Sequence, residues 1–220
     1  MSSDLSKPAK CAMLRAEQRR KENAMFHFFA YVSRLKHIRR WGLMHCAVPE
    51  NDAEHSLQVA MIAHALAVMA RDRYGRDVNP EHVLALAVYH DAPEVFTGDM
   101  PTPVKYALPE LRGAYASLES LAAQKLTAML PEAMRSVYAA YLAEEDGDRA
   151  LVKAADRISA YLKCLEERRA GNPEFEAAET QILQSIEALD LPEVRDFMAE
   201  FVPSFLLTLD ELNRPGEVLP

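Results

Sequence analysis

Glycine is scarce in this chain of 220 residues, and its arrangement excludes the common phosphate-binding loops. The seven glycines are scattered along the sequence. Neither GxxxxGKS/T nor GxGxxG, the two patterns that cradle phosphate with backbone N–H groups, occurs. A protein with this sequence that handles phosphate must therefore hold it by another route.

Cysteines are few, and long apolar runs are absent from the sequence. The three cysteines are an odd number without a CxxC pair, which argues against a disulfide framework and against a zinc finger. No apolar run approaches the about 18 residues of a membrane-spanning helix, and residues 1–24 lack the apolar centre of a signal peptide. We therefore expect a cytoplasmic protein without membrane contact.

Positive charge is scarce except at the N-terminal end. The net charge of −8 argues against a partner that is a nucleic-acid polymer. Residues 1–47 nevertheless carry ten basic and three acidic residues, which leaves −15 for the rest of the chain. A basic arm that contacts nucleic acid or a membrane is one interpretation of residues 1–24, but a solvated polar extension is favoured.

Apolar spacing predicts an all-α bundle, because no segment alternates as a strand would. Asn79 and Pro80 are a typical helix start, as cap and first residue, and the helix that they open is apolar nearly all round. Pro203 makes the last predicted helix the least regular. Two apolar faces are predicted, one from Phe26, Phe29, Val32 and Leu35, and one from Leu57, Met61, Ile62, Ala65 and Val68. After a loop at 97–109, helices are predicted at 110–129, 132–144, 148–170, 173–190 and 192–212.

His90 and Asp91 stand together at the end of the helix that Pro80 opens. Glu94 follows about one turn later, beyond Pro93, which should bend or end the helix and turn the three side chains into one cavity. Two acids and a histidine beside an apolar helix need a cation or a hydrogen-bond network. By itself the His-Asp pair fits a polar helix end equally well.

Asp156 lies on the face of its helix that Val152 and Ser159 also occupy. A buried carboxylate there needs a partner. Lys153 and Arg157 are an alternative explanation, although they point to other sides of the helix.

His55 opens its own helix and, taken singly, could be structural. With His90, Asp91 and Asp156 it makes a nitrogen and oxygen set without a thiolate. Such a set suits one divalent ion (Co²⁺, Mn²⁺, Zn²⁺, Fe²⁺ or Mg²⁺) and leaves positions for water or substrate.

These four residues reproduce the H…HD…D signature of the HD-domain superfamily. Longer stretches resemble the bacterial 5′-deoxynucleotidase (YfbR-like) family, and the similarity covers about residues 26–212. The similar stretches are FFAYVSRLKHIRRW from Phe28, EHSLQVAMIAHAL from Glu54, YHDAPEVFTGDMPTPVKY from Tyr89, LVKAADRISAYLKCLEE from Leu151 and FVPSFLLTLDE from Phe201. The Arg40-Trp41 pair and the loop at 98–106 make the resemblance specific, whereas Pro93 replaces what is more often a small polar residue.

The resemblance implies an HD domain over residues 25–215 that removes the 5′-phosphate from deoxynucleoside monophosphates. It implies that His55, His90, Asp91 and Asp156 bind the metal, and that His55, Asp91 and Asp156 also adjoin the substrate. Glu94 would work with the metal-bound water, Arg40 would orient the phosphate, and Trp41 would disfavour a 2′-hydroxyl. Asp99 would be catalytic and would contact the substrate together with Met100, Pro101 and Thr102. Relatives that are dimers suggest a homodimer.

The residues themselves support some of these roles. The planar fork of Arg40 matches a phosphate, and the helical offset of about 100° between neighbours predicts that Arg39 faces elsewhere. Asp99 could bond a sugar hydroxyl or protonate the leaving oxygen.

Three alternative functions remain. The first is hydrolysis of another nucleotide, such as a cyclic or hyperphosphorylated one. The second is a nucleotide sensor without turnover, which the presence of Glu94 and Arg40 argues against, and the third is a purely structural bundle.

Overall fold

The fold is helical, as the sequence predicts. A computed structural model describes residues 25–105, 107–143 and 148–213. Within these ranges the only pairing of extended backbone is an isolated bridge between Arg39 and Asn51. The predicted extension at 1–24 and the last residues of the predicted domain lie outside the described ranges.

The helices of the described ranges follow the chain in order. They are α1 (Phe28–Val32), α2 (Asp52–Asp72), α3 (Pro80–Val88), α4 (Glu94–Thr97), α5 (Thr102–Lys105), α6 (Pro109–Ala128), α7 (Glu132–Leu142), α8 (Arg149–Arg169), α9 (Glu176–Glu187), α10 (Pro192–Glu200) and α11 (Leu209–Leu212). Short 3₁₀ segments follow at Ser33–His37, Pro173–Phe175 and Val202–Leu206. In the described ranges, no helix is long and apolar enough to cross a bilayer.

Helix α2 is the centre of the molecule, because it packs against α3, α8 and α10. The main core lies among these helices, and a second cluster forms where Phe28 of α1 meets residues of α6 and α7. The side chain of Asn51 accepts hydrogen bonds from the N–H groups of Ala53 and Glu54 and so starts α2. Asn79 and Pro80 start α3 as the sequence predicts. Both caps lie close in sequence to residues of the candidate site.

The predicted inward face of α2 is wrong in part. Leu57 and Met61 are 61% and 58% exposed, whereas Ile62 is buried. A helix that contacts neighbours on two sides buries a wide surface, and small side chains allow the closest approach. The buried stripe therefore runs through Val59, Ala60, Ala63, Leu66, Ala67 and Ala70.

Two other predictions need correction. Phe26 and Phe29 are exposed while Phe28 is buried, because Phe26 precedes α1 and Phe28 is the residue of α1 that packs into the second cluster. The predicted helix at 192–212 is divided, since Pro203 lies in a 3₁₀ segment between α10 and α11. The loop at 97–109 contains the short helix α5.

A buried ion pair fastens the loop before α2 onto α8. The Glu167 carboxylate accepts hydrogen bonds from Lys163 Nζ at 2.6 Å, Ala47 N at 2.7 Å, Val48 N at 3.0 Å and Asn172 Nδ2 at 2.8 Å. Both members of the pair are buried. A buried charge with this many partners fixes the loop geometry, because losing any partner leaves polar groups unsatisfied.

Replacing Glu167 by Gln is expected to lower the free energy of unfolding by about 3 kcal/mol at pH 7, since the Lys163 ammonium loses its buried counter-ion and keeps only the exposed Glu166. Burial raises the pKa of Glu167, but the hydrogen bonds that it accepts outweigh burial and lower the pKa to about 2. The stability is therefore present above the pKa of the unfolded chain, about 4.3, and is lost as the pH falls towards 2.

Urea denaturation at pH 7 and at pH 3 measures this effect. The difference between wild type and Glu167→Gln should shrink at the lower pH. Glu166→Gln is the matched control, because Glu166 is 3.3 Å from the same Lys163 nitrogen but exposed. Equal destabilisation by both substitutions would contradict the assigned role of Glu167.

Candidate metal centre

Three helices bring the predicted metal ligands together. The cap at Asn51 places His55 in the first turn of α2, where it is buried. His90 and Asp91 lie in the turn that follows α3, and Asp156 lies halfway along α8. The long-range packing of α2 against α3 and α8 therefore assembles a set of residues that are far apart in sequence.

The distances define a compact site. His55 Nε2 is 3.0 Å from Asp156 Oδ1 and 3.6 Å from Asp91 Oδ2. His90 Nε2 is 3.1 Å from the same Asp91 oxygen. The donor atoms of His55, His90 and Asp91 all lie within 4.8 Å of one another. His55, His90 and Asp91 thus face one point, and Asp156 adjoins it through its contact with His55.

The imidazole nitrogens fit a metal. The Nε2 atoms of His55 and His90 are buried and make no hydrogen bond of good geometry. His90 donates its Nδ1 proton to the Ala87 carbonyl at 2.7 Å, and His55 Nδ1 meets Ser159 Oγ at 3.1 Å. Because Nδ1 of His90 carries the proton, the Nε2 lone pair of His90 is free for a divalent ion. Two imidazoles and two carboxylates are a suitable donor set.

Asp156 is less buried than the sequence predicts. Its side chain is 42% exposed, and its partner is His55 rather than Arg157, which donates to the Ser185 carbonyl. Burial raises the pKa of Asp156, but the contact with His55 outweighs burial and lowers the pKa below its ordinary value, so the carboxylate is ionised. Asp156 therefore lies at the open side of the site, facing solvent or substrate.

The carboxylate of Asp91 is the electrostatic centre of the site. Burial raises its pKa, but His90, His55 and Arg40 outweigh burial and hold the pKa well below its ordinary range. Asp91 is therefore ionised at neutral pH and can bridge the histidines to a cation.

Glu94 turns towards a residue that sequence reasoning missed. Pro93 precedes α4, and the helix break turns Glu94 so that its carboxyl lies within 4.8 Å of those of Asp91 and Asp52. Burial and the neighbouring carboxylates raise the pKa of Glu94, and burial raises that of Asp52. Asp52 is fully buried. The signal that could have revealed it is its position three residues before His55, directly after the cap.

The Arg40 guanidinium lies among three carboxylates and is 15% exposed. Its Nη1 is 3.2 Å from Asp91 and 3.7 Å from Asp52, and its Nε is 3.4 Å from Glu50. Burial lowers its pKa, but Asp91, Asp156 and Glu50 raise it, so the group stays charged. Arg39 is exposed on the other side, as predicted. The physical reason differs from the predicted helical offset. The segment is extended, so successive side chains point to opposite sides of the backbone.

Trp41 lies next to the site in a constrained position. Its indole Nε1 donates to Glu50 at 2.9 Å, and its ring packs on Phe175 with a centroid distance of 5.1 Å. Its φ of 59° is uncommon for a bulky residue. Its backbone N–H lowers the pKa of the Asp99 carboxyl. Glu50 was also missed, and it connects Trp41 to the phosphate-binding candidate Arg40.

The loop after Gly98 reaches the site through Asp99, which interacts electrostatically with Arg40, Asp91 and His55. Met100 and Pro101 are partly buried, and Thr102 begins α5 and is exposed. The substrate contacts predicted for these three residues stay predictions.

Solved structures share this fold. An HD-domain phosphohydrolase from Listeria innocua is 27% identical, with a TM-score of 0.71, over 82% of this chain and 88% of that one. The cyanophage S-2L HD phosphohydrolase DatZ, solved with dA and one catalytic Zn²⁺ ion, is 23% identical with a TM-score of 0.56 over 80% and 95% of the two chains. The second similarity supports the shared fold.

Sequence comparison identifies the family. The 5′-deoxynucleotidase YfbR of Shigella boydii is 50% identical over 191 residues, which are 86% of this chain and 96% of that protein. The family model described as 5′-deoxynucleotidase YfbR-like matches residues 27–205. The chain therefore belongs to the 5′-deoxynucleotidase YfbR-like family of HD-domain proteins.

Proposed function

We propose that this chain is a metal-dependent 5′-deoxynucleotidase, a phosphoric monoester hydrolase that converts 2′-deoxyribonucleoside 5′-monophosphates to deoxynucleosides and phosphate. The observation that carries the proposal is the position of Arg40, whose guanidinium is 3.2 Å from the ligand candidate Asp91. A phosphate-binding cation and a set of metal-binding residues therefore face one site, in a chain that is 50% identical to a 5′-deoxynucleotidase.

His55, His90, Asp91 and Asp156 would hold one divalent ion. When bound, such an ion supplies Lewis acidity towards water and towards the phosphate oxygens. The exposed side of Asp156 leaves room for water and substrate beside the ion.

Glu94 and Asp99 would move protons. Glu94 lies beside the ligand candidate Asp91. Its pKa is raised in the metal-free site, and a divalent ion held by Asp91 would favour its ionised form, which would accept the proton of the attacking water. Burial raises the pKa of Asp99, although Arg40 partly opposes this. A raised pKa favours the protonated carboxyl, which would donate its proton to the leaving 5′-oxygen. The two acids would thus act on the attacking oxygen and on the leaving oxygen, which lie on opposite sides of the phosphorus.

Arg40 and Trp41 would select the substrate. The fork of Arg40 would bind the phosphate bidentately and turn away from one of its present carboxylate partners. The Trp41 ring is fixed by its bond to Glu50 and by Phe175. A rigid indole beside the sugar would clash with a 2′-hydroxyl and so favour deoxyribose. Met100, Pro101 and Thr102 would complete the sugar and phosphate contacts.

Phosphate release from a panel of nucleotides tests the proposal. We expect turnover of deoxynucleoside 5′-monophosphates and much weaker turnover of the matching ribonucleotides. Equal turnover of both would remove Trp41 as a sugar selector. Activity confined to cyclic or hyperphosphorylated nucleotides would favour the alternative hypothesis, a phosphohydrolase that acts on another nucleotide. Binding of dAMP without phosphate release would indicate a sensor. The homodimer and the cytoplasmic location stay predictions from the sequence.

A further inference from the structure

The two histidines of the metal centre are held in different ways. His90 Nδ1 faces the Ala87 carbonyl at 2.7 Å. A carbonyl oxygen only accepts, so this contact requires a proton on Nδ1 and leaves Nε2 open. His55 Nδ1 instead faces the hydroxyl of Ser159 at 3.1 Å. A hydroxyl can donate or accept, so this contact alone does not decide which nitrogen of His55 carries the proton.

A third residue decides it. Ser159 is fully buried, and its Oγ donates to Gln58 Oε1 at 2.6 Å. The hydroxyl has one proton, and Gln58 takes it. Only oxygen lone pairs are then left for His55, whose Nδ1 must be the donor. We propose that Gln58 and Ser159 are positioning residues that keep Nδ1 of His55 protonated and its Nε2 free for the metal.

The hydrogen bonds from His55 to Ser159 and from Ser159 to Gln58 form a relay, and its placement fits this role. Gln58 follows His55 by three residues on α2, and Ser159 follows Asp156 by three residues on α8. The relay therefore lies one helical turn from each of these two ligands and crosses the interface between their helices. Gln58 also lines an open cavity of about 390 Å³, together with Glu50 and Lys163. Because its side chain borders this cavity, substitutions at position 58 should be accommodated.

Ser159→Ala is expected to weaken metal binding by about 10- to 100-fold, the usual effect of losing the partner of a metal-binding histidine. The inference rests on the metal site of the proposed function. Calorimetric titration of the metal-free chain with Co²⁺ measures the dissociation constant directly, without substrate. Ser56→Ala is the matched control. Like Ser159, Ser56 is buried, and it lies next to His55 on α2, but its hydroxyl has no hydrogen-bond partner.

Two substitutions of Gln58 separate the relay from simple packing. Gln58→Glu keeps an oxygen that accepts the Ser159 proton, so Co²⁺ affinity should be retained. Gln58→Met has a similar length but no acceptor. The Ser159 hydroxyl can then donate to His55 Nδ1 and favour the ring form that cannot bind the metal. We expect weaker Co²⁺ binding, by about 10-fold or more, in Gln58→Met alone.

The outcomes distinguish the relay from the metal site itself. A wild-type chain that binds no Co²⁺ would overturn the proposed metal-dependent function together with the relay. Wild-type affinity in both Ser159→Ala and Gln58→Met would overturn the relay and leave the metal site standing. Equal losses in Gln58→Glu and Gln58→Met would also overturn it, because the proton acceptor would then not matter. Thermal unfolding of each metal-free variant verifies that it is folded, and Gln58 variants provide the test if Ser159→Ala is not.

Discussion

Replacing Glu94 by Gln is expected to lower kcat for a deoxynucleoside monophosphate by a factor of about 10² to 10⁴, the usual contribution of a positioned acid or base. The substitution keeps the size of the side chain and removes its ability to accept a proton. Glu94 lies beside Asp91 and Asp52 rather than between the histidines. Metal binding should therefore persist while turnover is lost.

Steady-state kinetics and a Co²⁺ titration on the same preparation test this expectation. Glu81→Gln is a suitable control, because Glu81 is exposed in the first turn of α3, the helix that leads to the site. A normal kcat in Glu94→Gln would falsify the proton-transfer role. Loss of Co²⁺ binding together with activity would instead make Glu94 a metal ligand and contradict the assignment of the four ligands.

Replacing Arg40 by Ala is expected to lower kcat/KM by about 10²- to 10³-fold, the effect of removing one preorganised donor from a charged transition state. The guanidinium is the group that would neutralise the phosphate opposite the metal. Lys at this position keeps the charge but loses the planar fork. We therefore expect Arg40→Lys to fall between wild type and Arg40→Ala.

Arg39→Ala is the matched control for Arg40, since the neighbouring side chain is exposed and borders a separate cavity with Lys36 and Glu54. Removing Arg40 also leaves Glu50, Asp52 and Asp91 without their shared cation. The Lys variant separates this electrostatic effect from phosphate recognition, because it retains the charge. An unchanged kcat/KM in Arg40→Ala would remove the residue from the site.

Much of the candidate metal centre could be predicted from the sequence because three of the four candidate ligands have a local signal. His90 and Asp91 follow a strongly apolar helix whose start is marked by Asn79 and Pro80. Asp156 interrupts an apolar helix face. These signals state where side chains emerge from their own helices, and the packing of α2 against α3 and α8 brings them together.

Residues that act across helices gave no comparable signal, apart from the position of Asp52 three residues before His55. Asp52 and Glu50 matter because Arg40 folds back onto them, and Ser159 matters because Gln58 and His55 lie on the facing helix. Periodicity within one segment contains no information about such partners. Periodicity also predicted part of the buried face of α2 wrongly, because the width of the buried face depends on how many neighbours the helix has.

Metal dependence is tested by stripping the chain of metal, verifying the loss by elemental analysis, and measuring phosphate release from dAMP and AMP as single divalent ions are added back. We expect negligible activity without metal and recovery at about one ion per chain, with dAMP favoured over AMP. Full activity in a chain shown to be free of metal would contradict this expectation.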